Sequence, residues 1–203
     1  MKVESVKNIN ITLLLSSPLN HLLISQKDLL DKFKSGVDDN DKHSFIEAPG
    51  LKVLVFPKRQ KEIVFEANRI VINDKRGGKI DESEVVDDLQ NLLTLDAIDL
   101  NKLSAYGFNY DAVIIPESDS FDINNLVGSK IASIENIKSA GVNVLFEKGN
   151  ITYVLEIKPL RDNKRFIAHF NAHFNLNKLP SAADLKSEIN LQFNEFNKIL
   201  QNI

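Results

Sequence analysis

Four polar side chains in the last quarter of the chain could form a site: His169 and His173, Asn171 between them, and Glu156 a short way upstream. An imidazole changes charge near neutral pH, a carboxylate accepts hydrogen bonds, and an amide offers both donor and acceptor. On a helix, a four-residue step would bring both imidazoles to one metal ion. On a strand the same step is about 13 Å, far beyond ion-ligand bonds of about 2 Å. In 166–175 Phe166, Ala168, Phe170, Ala172 and Phe174 alternate with Ile167, His169, Asn171, His173 and Asn175, which predicts a strand. The expectation is therefore no shared metal, with His169, Asn171, His173 and Glu156 lining one sheet face as ligand- or partner-binding groups.

Other chemistries lack their residues. No cysteine occurs, which removes disulfides, thiolate zinc sites, thiol nucleophiles and dithiol redox centres, and points to a reducing cytoplasm. No GxGxxG, GxxxxGK[ST] or GxSxG pattern occurs, and the pair Gly77 and Gly78 reads as a turn. The acidic sets Asp38, Asp39, Asp41 and Glu117, Asp119, Asp122 lack the turn glycine and closing glutamate of a calcium loop. Asp87 and Asp88 are adjacent on a predicted helix and point in different directions, so they do not form an acid/base couple. No catalytic residue, cofactor or metal is assigned, and the balance falls against an enzyme.

Charge limits the partners. The chain of 203 residues carries 25 Lys and Arg against 28 Asp and Glu, for a net charge of −3. Small basic clusters at Lys58, Arg59, Lys61, at Lys75, Arg76, Lys79, and at Arg161, Lys164, Arg165 read as solvated loop charge. An acidic chain lacks the basic excess that phosphate backbones demand, so nucleic acid is disfavoured. The apolar stretch 9–15 is too short for a membrane helix and is broken by Asn10 and Thr12. Asparagine is abundant, at 22 positions, yet scattered and without tracts, and reads as compositional habit.

The elements that must position these residues recur in one order. In the first half, a strand at 6–15 precedes a helix opened by Ser25 and Asp28, then strands at 51–56, 61–66 and 69–73, then a helix capped by Asp81 with Val85, Val86, Leu89, Leu92 and Leu93 on one face. In the second, a strand at 106–115 precedes a helix over 123–137 carrying Val127, Ile131 and Ile134, then strands at 142–146, 151–158 and 165–176. A helix opened by Ser181 and Asp184, with Leu185, Ile189, Phe193, Phe196 and Leu200 in a stripe, closes the chain. The expected fold class is α+β: an internal duplication of a β-α-β-β-β-α unit, 1–103 and 104–203. The two halves share one largely antiparallel curved sheet with helices packed on one face and behave as a single domain. Pairing the halves removes two sheet edges, which favours this over two separate domains. The element order is loosely similar to duplicated saddle-shaped folds such as the TATA-binding proteins and to the duplicated bacterial effector-binding domains, with no motif of either in common.

This reading implies a cytoplasmic, non-enzymatic interaction protein that holds a macromolecule, another protein, on its open sheet face or edge, with homo-oligomers allowed. Its alternatives are a small-molecule sensor or enzyme with a pocket between sheet and helices, and a saddle on nucleic acid.

Overall fold

A computed structural model of the protein describes residues 1–33, 42–117, 127–128, 130–131, 133–136, 140–161 and 164–203. Nine strands form one antiparallel sheet: β1 (Lys2–Leu15), β2 (Ser44–Ala48), β3 (Leu51–Phe56), β4 (Lys61–Glu66), β5 (Arg69–Asp74), β6 (Leu103–Ile115), β7 (Val142–Lys148), β8 (Ile151–Pro159) and β9 (Phe166–Phe174). Three α-helices are described from end to end: α1 (Gln26–Phe33), α2 (Val85–Leu92) and α3 (Ala182–Gln201). The strand order is β2-β3-β4-β5-β1-β6-β9-β8-β7, so β1 and β6 meet in the middle and the sheet stays open, with β2 and β7 at its edges. The chain is thus mixed α+β, as its periodicities predict, with both halves in one sheet.

Alternation along each strand divides the side chains between two faces. One face carries Ile9, Ile11 and Leu13 of β1, Leu54 and Phe56 of β3, Ile63 and Phe65 of β4, Ile70 and Ile72 of β5, and Tyr106, Phe108 and Tyr110 of β6, all in one buried cluster with the apolar residues of the three helices. The phenylalanines of β9 belong to this core. Phe170 stacks on Phe196 of α3 with ring centroids 5.1 Å apart, and Phe174 stacks on Tyr106 at 4.7 Å. Burying such rings removes 150 to 250 Å² each from water, at about 25 cal/mol per Å², so this stripe is a principal tie between sheet and helix.

Helix starts follow the local sequence. The Ser25 hydroxyl accepts from the Asp28 amide at 3.1 Å, and that of Ser181 accepts from the Asp184 amide at 3.2 Å. Each satisfies a backbone donor that the first turn cannot. On α3, Leu185, Ile189, Gln192, Phe196 and Leu200 then face the sheet, and the Tyr110 hydroxyl donates to the Ile189 carbonyl at 2.6 Å. Gln192 replaces Phe193 as the central buried position of that stripe.

Three points of the expected fold are corrected. Asp81 does not cap α2: it lies in a short 3-10 turn, Ile80–Glu82, and Glu84 stands at the cap with no side-chain cap bond. The first strand begins at Lys2, not at residue 6. β2 was not anticipated at all. Of the expected helix over 123–137, residues 127–128, 130–131 and 133–136 are described, and 127–128 and 130–131 are helical; of its apolar positions, Ile131 and Ile134 are exposed. The acidic sets at 38–41 and 117–122 also lie outside the described residues, apart from Glu117.

Candidate functional site

His169, Asn171 and His173 project from β9 and Glu156 from β8 on the face opposite the helices. Cross-strand pairing shows what joins them there. Asn73 of β5 stands opposite Asn10 of β1, Asn10 opposite Asn109 of β6, and Asn109 opposite Asn171 of β9. Four asparagines from four strands thus form one row across the centre of the sheet, with Glu62 of β4 next in line beyond Asn73. Side-chain bonds run along it: Asn109 Nδ2 donates to Asn10 Oδ1 at 2.7 Å, and Asn171 Nδ2 donates to Asn109 Oδ1. Thr12 Oγ1 donates to Asn10 Oδ1 at 3.2 Å, and Asn73 Nδ2 to Glu62 Oε1 at 3.3 Å.

Asn10, Asn73 and Asn109 are only 7 to 8% exposed although no described helix covers them. Their neighbours on this face shield them. An amide held by its neighbours in a poorly hydrated setting is orientationally fixed, because letting go leaves a donor or acceptor unpaired at a cost of about 1–3 kcal/mol.

A second polar row lies one pleat away. Asn8 stands opposite Asp111, Asp111 opposite His169, His169 opposite Glu156, and Glu156 opposite Asn143. Asn8 Nδ2 donates to Asp111 Oδ2 at 3.0 Å and to Asn73 Oδ1 at 3.2 Å, tying the two rows together. His169 Nδ1 and Asp111 Oδ1 are 2.7 Å apart. The hydrogen bond to Asp111 raises the His169 imidazole above its usual value, against the opposing effect of burial. Burial pushes the Asp111 carboxyl up, but hydrogen bonds from His169 and Asn8 outweigh it and hold the group below the ordinary range. Glu156 pairs with Lys158 at 2.6 Å, which lowers its carboxyl.

The remaining predicted residue, His173, lies in a third row. Gly107 and Thr12 stand on one side of it and Thr152 on the other, and its Nε2 contacts Asn175 Oδ1 at 2.9 Å. Gly107 has no alternative here: a Cβ would sit 2.9 Å from the Ala172 carbonyl oxygen of the neighbouring strand. The same row continues into aliphatic side chains, Val71, Val64, Val53 and Ile46, across β5 to β2. The face is therefore a polar centre with an aliphatic wing. Nine strands about 4.8 Å apart make it about 38 Å wide.

The arrangement can bind, orient and exchange a proton at His169. Beside that imidazole stand carboxylates and amides, with no serine or threonine bonded to it, so the Ser-His-Asp logic of acyl transfer lacks its first member among the described residues. His169 and His173 are four residues apart on an extended strand and engage different partners. None of His169, Asn171, His173 or Glu156 lines either of the larger cavities, one of about 1010 Å³ beside Gly77, Gly78 and Phe193, the other of about 650 Å³ between α3 and the β7–β8 hairpin. These four side chains point away from the three helices described above, so they wall no pocket between the sheet and those helices.

The basic clusters also differ from expectation. All three lie at one end of the sheet, where β3, β5 and β8 end and β4 and β9 begin. Lys61 is no loop cation: it is the first residue of β4, 5% exposed, and its ammonium meets Glu84 and, at 2.7 Å, Asp88 of α2. Arg76 is engaged by Asp74 at 2.6 Å and Glu84 at 3.1 Å, and Lys75 by Glu62 at 2.9 Å. Burial raises the Asp88 carboxyl despite the bond from Lys61. Much of this positive charge is spent inside the protein.

Sequence reasoning missed Asn8, Asn10, Asn73, Asn109 and Asp111. The local signal was present, since each lies on the non-core phase of a strand, but their alignment depends on register between segments up to about a hundred residues apart. Compared with known proteins, the chain matches no family model and no curated sequence.

Proposed function

We propose that the protein is a non-enzymatic binding protein that holds a macromolecular partner, another protein, against the face of its sheet that no described helix covers. The observation that carries this reading is the row Asn73, Asn10, Asn109 and Asn171, fixed by neighbouring side chains on a face that no described helix covers. Amides recognise amides: each offers a donor and an acceptor, the pattern a polypeptide backbone or an Asn/Gln-rich surface presents. The aliphatic wing from Val71 to Ile46 supplies the apolar area that gives a polar interface its affinity. Asp111, His169 and Glu156 add charge that disfavours wrong partners more than it strengthens the right one.

The same proposal takes 1–103 and 104–203 as two copies of one unit. The strand order supports it, because a twofold axis between β1 and β6 exchanges β5 with β9, β4 with β8 and β3 with β7. Absence of cysteine supports a cytoplasmic setting; no described helix is long and apolar enough to cross a membrane.

The test is retention of partners from native cell extract by the wild-type chain and by Asn171→Arg and His173→Arg variants, with circular dichroism confirming the fold. Mass spectrometry should find one or more proteins lost from the variants. A partner retained equally by all three chains removes this face from consideration. Retention of only a low-molecular-weight compound replaces the proposal with a sensor or enzyme.

A further inference from the structure

We infer that β7 pairs antiparallel with β7 of a second copy of this chain, about a twofold axis through Leu145, joining two sheets edge to edge. Among the described residues β7 is one of the two sheet edges and pairs on one side only, with β8. Natural edge strands are guarded by charges, prolines, bulges or brevity. Along 142–146, Val142, Asn143, Val144, Leu145 and Phe146, β7 has none of these; its charges, Glu147 and Lys148, stand together at one end, and its ladder with β8 runs without a register shift. It exposes apolar side chains on both faces, with Val144 at 41% and Leu145 at 67%. The opposite edge, β2, is shorter and carries Glu47 within it, paired to Lys52 at 2.8 Å.

Which occupant fits follows from the order of residues along β7. Side chains opposite one another in an antiparallel pair share a face, so a twofold axis normal to the sheet must pair residues whose numbers add to an even total. Centring on Leu145 places Leu145 against Leu145 of the second copy on the face of the asparagine row, with Asn143 opposite Glu147 on either side. On the helix face it places Val144 opposite Phe146, twice. Every inner pair is then matched, apolar to apolar and amide to carboxylate, the kinds of pair that stabilise antiparallel ladders. An unrelated extended peptide has no reason to meet all of these at once, whereas a second copy meets them by symmetry. The pairing also extends the face bearing the asparagine row from one sheet into the other without covering that row.

The chain contains no cysteine, so a single introduced thiol reports on one position. Residues at the twofold lie about 4.5–5.5 Å apart between Cα atoms, within disulfide range, whereas Asn143 lies about 13 Å from its own symmetry mate. Light scattering of the wild-type chain should read twice 22.9 kDa, and Leu145→Lys should halve that mass. Mild oxidation should convert Leu145→Cys into a covalent dimer; Asn143→Cys and Glu147→Cys should cross-link only when mixed. A wild-type monomer at every concentration overturns the inference, as does a dimer in which Leu145→Cys stays unlinked or Asn143→Cys links to itself as readily as to Glu147→Cys. Leu145 is largely exposed, so these variants keep the core intact, and unchanged thermal unfolding of the Leu145→Lys chain verifies it.

Discussion

If the asparagine row serves recognition and not folding, removing one member and removing the whole chain of bonds must have opposite consequences. Asn109→Val deletes the 2.7 Å bond to Asn10 and the bond from Asn171, leaving Asn171 Nδ2 without its acceptor and Asn10 Oδ1 with Thr12 alone. At about 1 kcal/mol net per bond, the single variant should lose about 2 kcal/mol. For a chain of this size that is a fall of about 4–8 °C in Tm. The triple variant Asn10→Val, Asn109→Val, Asn171→Val orphans no amide, and β-branched residues suit strands, so its stability should return to within about 1 kcal/mol of wild type. Chemical denaturation of the three chains, with equal m-values, measures this. The triple variant should at the same time lose the captured partner. If losses simply accumulate, so that the triple variant is less stable than Asn109→Val by several kcal/mol, the row is a structural network and the reasoning fails.

The Lys61 cluster obeys the same logic at a larger magnitude, since a buried charge cannot be left alone. Lys61→Met should cost about 3–5 kcal/mol by stranding Asp88, and adding Asp88→Leu should recover most of that in the same denaturation assay. NMR titration should place the His169 imidazole above the ordinary value of about 6.5, and Asp111→Asn should bring it down. Because the folded-state value of His169 is raised, its pairing stabilises fully below about pH 6.5 and is lost as pH rises through the folded value. Asp111, whose value is lowered, contributes above about pH 4 and loses its part as pH falls through the folded value. Tyr110→Phe should cost about 1 kcal/mol by freeing the Ile189 carbonyl. Gly107→Ala should destabilise by about 1–3 kcal/mol, since the added methyl meets backbone that cannot swing aside, and thermal unfolding reads this directly.

Much of the architecture is local information. The five-fold alternation in β9 and the Ser181 cap of α3 are written into neighbouring residues, and the alternation alone determines that His169, Asn171 and His173 share the face opposite the phenylalanines. β2 escaped because five residues at an edge, mostly exposed, need no periodic burial to pair with β3. The charges of Lys61 and Asp88 misled in the other direction: each looks solvated beside its sequence neighbours, and only the approach of α2 to β4 shows them to be counterions. Most of the site was hidden for a related reason. Scattered asparagines become a row only when β1 selects its register against β5 on one side and β6 on the other, and that choice is made by Ile9, Ile11 and Leu13 seeking the core, not by the amides themselves.

The β1–β6 seam has a consequence for how the protein is made. A ribosome adds about 5–20 residues per second, so β1, once joined to β5, waits about 2–8 s until residues 103–115 emerge to close its other side. Throughout that interval a strand destined for the midline is temporarily a border, with Asn8, Asn10 and Thr12 along its outward phase in place of the aliphatic residues that would invite a neighbouring nascent chain. Polar residues at that position would thus guard biosynthesis as well as serve recognition, and slowing translation just after residue 75 should lengthen the vulnerable period in a way that chaperone dependence would reveal.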